Sequence, residues 1–152
     1  HSSRFRGVAV IREKIAFRDR SVSLHPTALC VISEGTLDST GIFLQSRSRL
    51  EAVCIVSSPP IDSVEFPPIV LFDTATTLTG YVLSQALADI RGTVYGSVVT
   101  ERFNYYLPPT TYVNWVRNAV IDRPKMTYAM PLPLLASQSN QPLSILSYFD
   151  GK

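Results

Sequence analysis

The chain reads as an all-β protein, and three observations carry that reading. Apolar and polar residues alternate from Phe5 to Phe17 and again from Thr93 to Tyr105, the period of a half-buried strand. Thr27 to Ser33 and Leu50 to Ser57 are apolar on both parities and rich in β-branched residues, as strands covered on both faces are. Three Pro-Pro pairs, at 59-60, 67-68 and 108-109, stand where neither a helix interior nor a central ladder can run. The expectation is one antiparallel β-sandwich or barrel, jelly-roll-like, spanning 1–152 with at most one or two short helices.

The elements follow in chain order. Phe5, Ala9, Ile11, Ile15 and Phe17 share one parity and Arg4, Arg6, Arg12, Lys14 and Arg18 the other. Glu13 is the one charge on the apolar face, so a break or bulge is expected there. Ile42 to Gln45 makes a shorter strand between the two doubly apolar runs, entered through Asp38-Ser39-Thr40-Gly41 and left through Ser46-Arg47-Ser48-Arg49. Two hairpins in series are the natural connection. Ile69 to Phe72 is a short buried run. Thr79 to Ile90 is the best helix candidate, because Leu83, Leu87 and Ile90 recur at helical spacing and Gly92 follows as a cap. Tyr112 to Ile121 fits either period and its β-branched content favours a strand. The C-terminal MTYAMPLPLL and LSILSYF are Pro-bounded and extended. The likeness of LCVIS to VCIVS spans five residues and is accounted for by shared strand composition.

A chain of 152 residues and 16.8 kDa is long enough to bury about 70% of its unfolded surface in one core. Its 45% apolar content excludes a disordered tail, and charges at every segment break exclude an apolar run of bilayer length. Fourteen basic residues against twelve acidic leave +2, too close to balance for a protein whose affinity rests on neutralising phosphates. Lysine occurs only at 14, 125 and 152, and the other eleven cations are arginine, the residue suited to bidentate and stacked contacts. Cys30 and Cys54 lie inside apolar runs and read as core thiols. The His-Ser-Ser start, without Met, reads as a fragment of a longer protein.

Catalytic patterns are sparse. Val70-Leu71-Phe72-Asp73-Thr74-Ala75-Thr76 resembles the aspartic-protease signature, with Ala75 where that family has Gly and no second such string to supply the partner carboxylate. Activity would require a symmetric dimer, and the plain reading is that Asp73 ends a strand or starts a turn. A hydrolase would need His25, the only non-terminal histidine, which precedes Pro26 and is biased to extended geometry. No metal-ligand spacing and no phosphate-cradling glycine motif is present, so neither metal nor cofactor is expected.

The aromatic residues are the remaining signal. Tyr105, Tyr106, Tyr112 and Trp115, with Phe103, cluster around Pro108-Pro109, and such side chains carry interface energy with few rotors to freeze. These four are the expected subunit or receptor contact, while the polar loops 36–41 and 137–140 are expected to face solvent. In size, composition and strand layout the chain resembles the protruding domain of a small non-enveloped RNA virus capsid protein. That resemblance implies a virion-surface attachment domain without catalysis. It would self-associate as a dimer or trimer and meet a host receptor or glycan, without specific nucleic-acid binding or membrane insertion. The alternatives are the enzyme readings through Asp73 or His25, and a carbohydrate-binding module in which Tyr106 and Trp115 stack on sugar rings.

Overall fold

The computed structural model describes residues 7–12, 14–18, 20, 22–32 and 40–125. Ten strands fill it: β1 (Gly7–Ile11), β2 (Lys14–Phe17), β3 (Val22–Ile32), β4 (Gly41–Leu44), β5 (Arg49–Ser57), β6 (Ile69–Phe72), β7 (Thr77–Ile90), β8 (Thr93–Leu107), β9 (Thr110–Val113) and β10 (Val120–Ile121). The described residues contain no α-helix, only a 3-10 turn at Ile61–Ser63. The all-β class is as expected; the pairing is not. Every ladder is parallel except that of β8 with β9, so the antiparallel sandwich and the hairpins in series are replaced by a nearly closed, barrel-like parallel sheet.

The chain winds as a flattened solenoid. One wall stacks β1, β3, β5, the first part of β7 and the first part of β8. The other stacks β2, β4, β6 and the second part of β7, with Arg102 and Phe103 of β8 beyond them. A parallel pair needs a crossover between its strands, and here each crossover is itself a strand of the opposite wall. Alternation reads the same in parallel and antiparallel strands, so periodicity alone does not separate the two.

Register holds from rung to rung. Gly7, Thr27, Ala52, Gly80 and Gly96 form one column, and Val10, Cys30, Ile55, Leu83 and Val99 another. Leu50, Leu78 and Val94 on one wall join Ile42, Val70 and Ala88 and then Leu44, Phe72 and Ile90 on the other in a single buried core. The glycines at 80 and 96 are sterically required. With φ at +146° and +154°, a β-carbon would stand 1.9 Å from the Ala52 carbonyl oxygen and 1.7 Å from that of Gly80.

The expected helix at 79–90 is strand. Ala86, Ala88 and Ile90 continue the inward parity of Leu78, Gly80 and Val82, whereas Leu83 and Leu87 are half-buried on the other face. The helical spacing therefore joined residues of two faces, because the small inward residues Gly80, Ala86 and Ala88 left no mark in a pattern of large ones. The register shifts between Ser84 and Leu87, where Ser84 Oγ accepts the Ala86 N–H at 3.0 Å and the strand turns from one wall to the next.

The break expected at Glu13 falls between β1 and β2. Tyr112–Ile121 contains strand only at its ends, in β9 and β10. Of the loops expected at the surface, Thr40 is buried and Gly41 opens β4, while 36–39 and 137–140 lie outside the described residues.

Candidate functional site

The Asp73 string is a return turn of the solenoid. Gln45-Ser46-Arg47-Ser48 leads from β4 to β5 as Asp73-Thr74-Ala75-Thr76 leads from β6 to β7, and Arg47 and Ala75 both take left-handed backbone, with φ of 63° and 58°. Asp73 Oδ1 accepts the Thr74 N–H at 2.7 Å, and Thr76 Oγ1 donates to the Asp73 carbonyl at 2.7 Å. Buried Thr76 also fills the place a side chain would need at Gly92, whose added β-carbon would meet Thr76 Oγ1 at 2.1 Å. Asp73 thus has the turn-forming role of an Asx residue. It borders an open depression of about 430 Å³ lined by Phe43, Leu44, Gln45, Ser46, Arg47 and Leu71, with no second carboxylate in the lining.

The histidine and the buried thiol lie on β3 and β5. Cys54 is a free, fully buried thiol, and burial pushes its pKa up to about 12, so it is protonated and shielded rather than nucleophilic. His25 lies where β3 and β5 shift register, between Ser23 and Thr27, an irregularity that accommodates Pro26 inside a strand. Among the described residues no three His, Cys, Asp or Glu side chains gather where a metal ion could be held.

The aromatic residues do come together. β8 runs past the end of its ladder with β7 at Phe103 and pairs antiparallel with β9, Tyr105 opposite Tyr112 and Leu107 opposite Thr110. A cis peptide joins Pro108 to Pro109 at the tip. Tyr105 and Tyr112 have ring centroids 6.2 Å apart, and Tyr112 and Trp115 6.0 Å, tilted by 39° and 47°. The Arg91 and Arg117 guanidiniums stand 5.1 and 5.9 Å from the centre of the Tyr105 ring. Tyr105 is buried and anchors the group, whereas Tyr112 and Trp115 are 40% and 54% exposed. Tyr106, adjacent to Tyr105 and so of opposite parity, is exposed and outside this ring chain.

Two residues that the sequence reading missed hold the hairpin. Asp89, buried on β7, pairs with Arg91 through Nε at 2.9 Å and through Nη2. Arg91 Nη2 donates to the Tyr106 carbonyl at 3.0 Å, and the Tyr106 N–H faces Asp89 Oδ2 at 3.5 Å. One ion pair thereby takes over where the ladder stops. The hydrogen bond to Asp89, opposed by burial and reinforced by its charge, holds the Arg91 guanidinium above its ordinary pKa. An acid two residues before an arginine at a strand end is the only trace this leaves in the sequence.

No family model, curated protein or solved structure matches the chain.

Proposed function

We propose that the chain is a non-catalytic attachment domain, a rigid parallel-strand scaffold that presents the β8–β9 hairpin and the segment after it to a partner. One observation carries the reading. Of the twelve large apolar side chains that are exposed among the described residues, nine lie between Val99 and Ile121, on β8, β9, β10 and the segments that join them. Exposed apolar side chains concentrated in one segment are what contact sites have and catalysis does not need. Location on a virion surface rests on size and composition, since the strand layout that also suggested a capsid protrusion is parallel.

The chemistry narrows the ligand. Tyr112 and Trp115 offer ring faces, and exposed Arg117 has no carboxylate within ion-pair reach among the described residues. Faces beside a cation suit a ligand with an apolar side and an anionic group, such as an acidic glycan.

Trp115 is the only tryptophan, so emission reports this face alone. In the dilute chain it is expected to be open to acrylamide quenching, and titration with sialylated or sulfated glycans is expected to shield it. Trp115→Ala should abolish binding to the same glycans on an array while moving stability by less than about 0.5 kcal/mol, as for an exposed side chain. A Trp115 already shielded in the dilute chain overturns the reading, as does a hydrolytic activity lost in Asp73→Asn and kept in Trp115→Ala.

A further inference from the structure

We infer that a second copy of this chain docks end to end, the partner's β1 extending the wall that stops at β8. Independently of the hairpin, both ends of this wall are open edges among the described residues. Among the described residues β1 pairs only with β3, and β8 beyond Val94 has no strand on its outer side until β9 takes over at Asn104. An unpaired parallel edge is a template for another strand.

The two ends fit each other. β10 starts a sixth rung but covers only the columns of Thr93 and Val94, after which Asp122 donates to the Val94 carbonyl at 2.9 Å and Lys125 stands over the Tyr95 ring. β1 begins in the Gly96 column, where β10 no longer reaches. Continuing the stack by one rung therefore lays the partner's Gly7 to Ile11 along Gly96 to Thr100 without overlapping β10. In this placement the partner's Gly7 follows Gly80 and Gly96 in the crowded column, its Ala9 continues the Val98 column, and its Val10 covers Val99. Val99 is the most exposed large apolar side chain described, at 61%. Val98 is left half-buried at this end, whereas its column mates Leu29, Cys54 and Val82 are buried. On the other wall β9 occupies the edge beyond Phe103, so the contact is carried by the β1 side.

Such a contact joins unlike ends and does not close on itself, so copies add in rows. Sedimentation velocity of the full 152-residue chain from 1 to 500 µM is expected to show mass rising with concentration beyond a dimer. Val99→Lys blocks one end and Val10→Lys the other, and each alone is expected to stay monomeric at all concentrations. Mixed in equal amounts they should form a dimer and stop, because one intact end of each kind remains. Circular dichroism and melting of each variant establish that it is folded. A pairing of like ends would leave Val10→Lys dimeric and would overturn the inference. So would a wild-type chain that is monomeric throughout. Val99→Lys that still forms rows overturns it too. None of these outcomes bears on glycan binding at Trp115, so failure here and failure of the attachment reading are separable.

Discussion

Gly80→Ala is expected to abolish cooperative folding or to lower stability by about 4 kcal/mol or more, read as loss of the β-sheet circular dichroism signal and of a thermal transition. The added methyl would sit 1.9 Å from the Ala52 carbonyl oxygen, inside any allowed contact. The neighbour that must move is backbone within the β5–β7 ladder, and it moves only by breaking the register of Arg49 to Val56 with Thr77 to Ser84. Positive φ at Gly80 adds strain for any L side chain even where space can be made. Ser97→Ala, beside Gly96 on a half-buried position of the next rung, is the control, expected to stay within about 1 kcal/mol of the parent.

The second large effect belongs to the hairpin clamp. Asp89→Ala removes the buried half of an ion pair and leaves Arg91 facing a partly desolvated space. Losses of about 3 to 5 kcal/mol follow when one partner of a buried pair is deleted, and Asp89 is 97% shielded while the Arg91 side chain is 28% exposed, so the lower end of that range is expected. Among the described residues the side-chain hydrogen bonds of this pair, beyond each other, reach only the Tyr106 backbone and none of β1 to β6. The expected signature is therefore local: hydrogen exchange accelerates at Tyr105 to Val113 and the emission of Trp115 changes, while amides of β4 to β6 keep their protection. Uniform loss of protection would make Asp89 a global core residue instead of a clamp. Asp89→Asn, which keeps a neutral acceptor for Arg91, should retain more of the hairpin's protection than alanine does.

The sequence made the strands legible and hid their arrangement. Ile69–Phe72 was visible as an element because four apolar residues stand between Pro68 and Asp73, and the break at Glu13 because a charge interrupts an apolar parity. Parallel winding left no such mark. The column Gly7, Thr27, Ala52, Gly80, Gly96 advances by 20, 25, 28 and 16 residues, so no fixed period exists to be found. The likeness of LCVIS to VCIVS is not a repeat in the structural sense, since register sets Leu29, not Cys30, beside Cys54. At the site, clustering of aromatic residues near a Pro-Pro tip was readable from spacing alone. That Tyr105 is the buried anchor and Tyr112 and Trp115 the open faces was not, because parity within β8 changes side at its turn between the two walls. Nor was the Asp89–Arg91 clamp, whose meaning depends on Tyr106 of β8 coming to lie beside the end of β7.

Both the contact surface and the end-to-end docking depend on successive rungs lying parallel and in register, and short-range cross-linking reads that arrangement directly. Thr79 faces Tyr95, and Leu83 faces Val99, across the β7–β8 ladder. Cysteine pairs are placed at 79/95, 83/99, 79/99 and 83/95 in a chain lacking Cys30 and Cys54, then treated with a short thiol-specific bifunctional reagent. Pairs 79/95 and 83/99 are both expected to link rapidly, and 79/99 and 83/95, four residues out of register, to remain open. Linking of 79/99 and 83/95 in place of the other two is the outcome an antiparallel hairpin would give, and it would contradict the winding on which the site is built.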